Sequence, residues 1–393
     1  MLTRMTLFPL IVCLMVQGSW LMGSLAELQL SPRTLHVGPT EHLSRPSMAA
    51  SVARDGDTIE ISAGTYEGDA AVWTQNNLTL RGVGGLARLA ANGVNAEGKG
   101  IWVIKGDNTI VENIEFLTAT VPDGNGAGIR QEGAGLTVRN CYFRLNQNGI
   151  LTSANPQSDI IIESSEFVDN GNGQGNTHGL YIGSVRSFTL RYSYVHRTKV
   201  GHNVKSRALT NYIQYNRIMD EEAGNASYEI DLPNGGRSYI IGNLVQKGPA
   251  AENSTLLSYG AEGMTHPVNQ LFVVNNTFVN DRPQGGQFVA LRAQPETIKI
   301  INNIFAGRGA VLQGGTGEVS HNLTSNPPGF KDAKNFDYRL TSGSLAINAG
   351  IDPGMVDGFN LRAIEEYLPR TGKRKRPING PIDIGAYEYE GRK

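Results

Sequence analysis

Cysteine is nearly absent: 393 residues carry only Cys13 and Cys141, too few for a disulfide framework. Charge is sparse and balanced, with 18% Asp, Glu, Lys and Arg and a formal net charge of −1, which argues against a nucleic-acid partner. Long apolar runs are missing except at 5–22. That run follows Arg4 and precedes Gly23-Ser24-Leu25-Ala26, the order of a secretory signal cleaved after Ala26. An uncleaved anchor is the alternative, since the run is nearly long enough to span a bilayer. The 3.6-residue apolar spacing of helical repeats is absent, as is the Leu-x-x-Leu-x-Leu of leucine-rich repeats.

In their place stands a short phrase, apolar-x-Asn-x-x-apolar, that returns along the chain. Its closing residues are Phe116, Phe143, Phe167, Val195, Ile218, Val245, Phe278 and Phe305, steps of roughly 25 residues that define a solenoid. The phrases are β-branched and aromatic, alternate apolar with polar, and are separated by Gly, Asn, Asp and Ser, which is strand and turn chemistry. The 48 glycines fit the same turn-dense architecture. Asn113, Asn140, Asn275 and Asn302 suit a bend, because Asn tolerates left-handed φ. The expectation is an all-β, single-stranded right-handed parallel β-helix with an N-terminal helical cap and a C-terminal closing segment. Its boundaries are 1–26 signal peptide, 27–54 N-terminal segment and cap, 55–325 β-helix and 326–393 closing segment. A cap is needed because open solenoid ends expose strand edges and core. Pro46 to Arg54 reads as its helix.

A second strand in each turn aligns on a probable inward residue: Ile129, Ile150, Leu180, Val204 and Ile230. Alternation then turns the residues on either side of each outward. After them stand Arg130, Leu151, Tyr181, Lys205 and Asp231; before them stand Gly128, Gly149, Gly179, Asn203 and Glu229. His178, His202, Tyr228 and Arg207 lie close by in sequence, and turns repeat about every 4.8 Å, so one patch is expected. Four of the seven histidines, 178, 196, 202 and 266, fall in this stretch. A glycine floor with ionisable walls suits a polymer track. Outward charges on a β-helix are also commonly just solvated, so the cluster counts for more than any single member.

Period, turn chemistry and end segments resemble the pectate-lyase-like superfamily of right-handed β-helices over about residues 55 to 389. The resemblance implies uronide lyases, glycoside hydrolases and C5-epimerases. Asn203-Val204-Lys205-Ser206, followed by Asn211 and Asn216, is similar to the Lys-Ser…Asn strand of the alginate lyase and chondroitinase B group. That group implies Lys205 as base, an assisting Arg, and Ca²⁺ held by Asn and acidic residues, here Asn203, Glu229 and Asp231. The acidic pair follows the Lys strand instead of preceding it, and Asp231 to Arg237 replaces the group's Arg-His-Gly. Asn176-Thr177-His178-Gly179 resembles the His-Gly strand of the epimerases.

Lyase and epimerase both remove the C5 proton of a uronate whose carboxylate must be neutralised. The catalytic candidates are Lys205, His178, Tyr181, Arg207 and Asp231, with His178 or Tyr181 as acid. Arg130, His202, Arg237 and Tyr228 are the substrate-binding candidates. A hydrolase would use Glu229 with Asp231 or Asp220 instead. A non-catalytic carbohydrate-binding scaffold is the rival from another class. The expected partner is an acidic polysaccharide, the expected state a monomer with no membrane span after cleavage, and the expected location secreted or periplasmic in a bacterium.

Overall fold

Three short strands make up a typical turn. In the computed structural model, which describes Met1 and residues 31–391, ten parallel strands from Ala71–Trp73 to Ala310–Gln313 stack in sequence order as one sheet. A second, 20-stranded sheet contributes two strands per turn in most turns. The expected signal peptide lies, apart from Met1, outside the described residues. No helix among the described residues is long and apolar enough to cross a membrane.

The bend between the paired strands is where the repeat phrase places it. Thr109–Glu112 and Ile114–Leu117 are separated by Asn113 at φ 58°, and Asn140, Asn275 and Asn302 repeat the left-handed conformation. The residue after the bend turns inward and forms a buried ladder. Asn216 donates through Nδ2 to Asn243 Oδ1 at 3.0 Å, Asn243 to Asn276 at 2.9 Å, and Asn276 to Asn303 at 3.0 Å. Each side chain thus satisfies backbone at a corner where ladder hydrogen bonding is interrupted.

The closing residues of the phrase are register partners from Phe116 through Phe305. Phe116 stacks on Phe143 at 5.0 Å and Phe143 on Phe167 at 4.5 Å, an aromatic column within one continuous core. On the outer face Glu60, Arg81, Glu112, Arg139, Glu163 and Arg191 occupy one position of six successive turns. Arg139 bridges Glu112 at 3.3 Å and Glu163 at 3.1 Å.

The ends depart from expectation. The first helix is only Pro46–Ala50, packed through Ala49 against the first strands, where Pro46 to Arg54 was read as helical. Residues 326–391 lie along the flank of the coil. Leu361 and Ala363 pack on Tyr192, Tyr215, Tyr239 and Phe272, which line up an apolar flank for them. The last turn stays open: Val319, in the final strand Glu318–Ser320, is 44% exposed.

Candidate active site

The ten-stranded sheet carries the outward column that alignment predicted. Arg130, Leu151, Tyr181, Lys205 and Asp231 are register partners on five successive strands. Arg207 reaches back over this column. It donates through Nε to Tyr181 Oη at 2.9 Å and through one terminal nitrogen to Asn234 Oδ1 at 2.6 Å. Lys205 Nζ lies 3.5 Å from Asp231 Oδ2 and 3.2 Å from Glu262 Oε1. Glu262 also receives both terminal nitrogens of Arg207, at 2.6 and 2.9 Å. The hydrogen bonds from Arg207, more than the neighbouring Lys205, hold the Glu262 carboxyl down at about 2. Asp231 is almost completely buried, its Oδ1 has no hydrogen-bond partner, and burial pushes its carboxyl up despite Lys205. The two carboxylates beside Lys205 are therefore driven in opposite directions.

Two imidazoles form a layer beneath. His178 stacks on Tyr181 at 5.5 Å and on His202 at 4.7 Å, and Tyr228 tilts against His202 at 4.9 Å. His178 Nδ1 accepts the His202 backbone N–H at 3.0 Å, which requires the neutral ring with its proton on Nε2. Burial, helped by Lys205 and Arg207, depresses His178 to about 3 and takes His202 well below its ordinary value. His178 is 4% exposed and stacks against Tyr181 as a neutral ring. His178 is expected to titrate near 3 in an NMR pH series of its ring protons; a midpoint near 6.5 would contradict the buried neutral ring. The stability sign follows. The unfolded imidazole takes its proton near 6.5 and the folded one only near 3, so this contribution is full above pH 6.5 and is lost as pH falls to 3.

The residues preceding the inward column do not face solvent. The strands Leu180–Ile182, Val204–Ser206 and Ile230–Leu232 begin at the inward residue, so the one before it sits in the bend and escapes the alternation. A Cβ on Gly128 would come within 2.9 Å of Phe116 and Phe143, and one on Gly149 within 2.7 Å of Phe167. These glycines admit the aromatic column and floor no groove. Asn203 and Glu229 likewise point inside. Asn203 Nδ2 donates to Glu229 at 2.5 Å, and the other Glu229 oxygen lies 3.2 Å from Lys247 Nζ. Lys247 is fully buried and donates to the carbonyls of Ala226 at 2.6 Å and Ser227 at 2.8 Å, with Asp220 at 3.9 Å. Burial raises the carboxyls of both Asp220 and Glu229.

The residues proposed for Ca²⁺ therefore do not fit it. Glu229 is sealed against an ammonium, Asn203 is committed to Glu229, and only Asp231 faces the column. Glu229 and Asp220 are equally unable to act as a hydrolytic pair on a polymer. Arg237 is corrected too: it lies in the other sheet, bonded to Gln270 at 2.9 Å and to Asp357 at 2.9 Å. His196 belongs to that sheet as well, between Glu166 at 3.2 Å and Glu221 at 3.5 Å. His266 stays near the patch through its Nε2, 3.1 Å from the Arg207 carbonyl. Alignment missed Glu262, which sits in a loop with no equivalent in other turns, and Lys247, whose register partner one turn on is Asn280.

Beside the column runs an open groove of about 580 Å³, lined by Asp123, Arg130, Tyr181, Ser184 and Arg207 among others. Arg130 at one end and Arg207 at the other give it cationic walls, which suits a chain of sugar acids.

No sequence-family model matches the chain, and no curated protein matches it either. Solved structures do. The chain is similar to a pectate lyase, Pel9A, with a TM-score of 0.60 over 92% of this chain and 98% of that one, at 13% identity. An alginate lyase from Paenibacillus sp. str. FPU-7 matches at 14% identity over 74% of this chain and 99% of that one, with a TM-score of 0.39 that carries no argument. By fold, the chain is a right-handed parallel β-helix, the architecture it shares with that pectate lyase.

Proposed function

We propose that the chain is an exported bacterial enzyme that cleaves a uronate-containing polysaccharide by β-elimination. The observation that carries this reading is the outward column itself. Lys205, Arg207 and Tyr181 converge beside a groove walled by arginine. Fold likeness to a protein named as a pectate lyase points the same way.

In this reading Lys205, as the free amine, takes the proton from C5 of the uronate. Arg207 neutralises the uronate carboxylate, so the charge developing on C5 spreads into it. The C4–O4 bond then breaks with its electrons on O4, which takes a proton from the Tyr181 hydroxyl. The products are a 4,5-unsaturated end and a new reducing end. No step uses Ca²⁺, because the residues named for it do not fit. The Pro46–Ala50 helix covers the first turns, and the protein acts as a monomer outside the inner membrane.

One observation favours a second reading, a glycoside hydrolase. Asp231 is pushed up while Glu262 is held at about 2, the separation an acid and its partner carboxylate need. Incubation with pectate, alginate and glycosaminoglycans tests both. Ultraviolet absorbance of the unsaturated end supports elimination, and new reducing ends without it mean hydrolysis. Altered uronate stereochemistry without cleavage means epimerisation, and binding without turnover on any glycan means a scaffold.

A further inference from the structure

Two cationic groups of the site converge on a carboxylate that belongs to the protein itself. Arg207 presents two terminal nitrogens to Glu262 at 2.6 and 2.9 Å, the planar fork geometry by which guanidinium recognises a carboxylate. Lys205 adds a third contact at 3.2 Å. We infer that Lys205 and Arg207 form a subsite for the carboxylate of a sugar acid, and that Glu262 is its resting occupant. The inference rests on the uronate substrate proposed above.

Two features separate this arrangement from an ordinary structural ion pair. First, the fork does not depend on Glu262 for its orientation. Arg207 Nε is held by Tyr181 at 2.9 Å and a terminal nitrogen by Asn234 at 2.6 Å, while His266 sits against the Arg207 carbonyl at 3.1 Å. With Glu262 gone the guanidinium remains aimed at the same point, preorganised for another carboxylate. Second, Glu262 can leave cheaply. Its side chain is 45% exposed, so the withdrawn carboxylate is taken up by water while the cations pass to the incoming acid. The loop holding it is fastened through backbone: Gly260 N to Leu232 O at 2.9 Å, Glu262 N to Pro233 O at 2.8 Å, and Thr265 N to Asn234 O at 3.2 Å. Rotation of the Glu262 side chain withdraws the carboxylate without breaking any of these bonds.

An incoming sugar acid must displace Glu262, so the resting protein binds below its intrinsic affinity. A neutral sugar gains nothing by displacing it, because the Arg207 guanidinium would be left without an anion. The occupant thereby discriminates by charge as well as regulating access.

The test is calorimetric titration of trigalacturonate, trimannuronate and their methyl esters into wild-type protein and Glu262→Gln, with turnover measured in parallel. Glu262→Gln is expected to bind at least one trimer of free acid about tenfold tighter and to leave the methyl esters unchanged. Unaltered or weaker binding of every acid by the variant overturns the inference, as does failure of both proteins to bind any acid. Tighter binding without turnover in either protein supports the subsite and defeats the lyase reading. Turnover in wild type with unchanged binding in the variant does the reverse. Loss of turnover in the variant, with reducing ends and no unsaturation from wild type, assigns Glu262 to hydrolysis and overturns its role as a place-holder.

Discussion

Lys205→Ala is expected to lower kcat on the cleaved polysaccharide by about 10²- to 10⁴-fold, the usual worth of a positioned proton-transfer group. KM should move much less, because Arg130 and Arg207 remain to hold the substrate. Stability will not be untouched, since Lys205 is no solvated surface group. Its side chain is 11% exposed and it faces Asp231, which is 3% exposed. Removing the Lys205 side chain leaves Asp231 beside the neutral His202, at 3.4 Å, and its register partner Ser258. A buried group that loses its partner costs on the order of 1–3 kcal/mol. The sign with pH can be worked out. The Asp231 carboxyl is already raised in the folded state and rises further without Lys205, so the deficit is present at neutral pH and fades as pH falls through that raised value. Thermal melts at pH 7 and pH 4 read this directly, and adding Asp231→Asn should restore stability without restoring turnover. Wild-type turnover in Lys205→Ala would end the elimination reading and shift weight to Asp231 and Glu262.

Lys247→Met should have the largest effect on the fold, about 3–5 kcal/mol, because it breaks a fully buried charge cluster by removing its single cation. Asp220 and Glu229 would be left facing each other in the interior, and the carbonyls of Ala226 and Ser227 would lose their donor. Burial already raises both carboxyls, so acid protonates them within the fold and the gap between variant and wild type should narrow as pH drops. Urea unfolding at two pH values checks both the size and the trend. Asp220→Asn and Glu229→Gln combined with Lys247→Met should recover much of the loss. A single variant within about 1 kcal/mol of wild type would mean that the cluster is not held as a unit.

Legibility in the sequence followed repetition. The inward column Ile129, Ile150, Leu180, Val204 and Ile230 and the bends at Asn113 and Asn302 could be read because every turn of a coil meets the same constraint. Arg130, Tyr181, Lys205 and Asp231 came with them, one step along the strand. Strand alternation misleads where the strand has not yet begun, so Asn203 and Glu229 read as outward when the bend turns them in. His196 and Arg237 were close in sequence but lie in the other sheet, and proximity along a chain that goes around a coil says little about which face a residue takes. Glu262 belongs to a loop unique to its turn, and Lys247 is explained only by Asp220 and Glu229, which meet it in the interior. Neither has a repeat to betray it.

The alternating column from Glu60 to Arg191 imposes arithmetic on how such a coil can change length. Deleting the turn of Arg139 would bring Glu112 against Glu163, and deleting the turn of Glu163 would bring Arg139 against Arg191, like charges one rung apart. Removing any two adjacent turns restores the alternation. In this part of the molecule a change of length by pairs of turns keeps every charge opposite its complement, and a change by one turn does not.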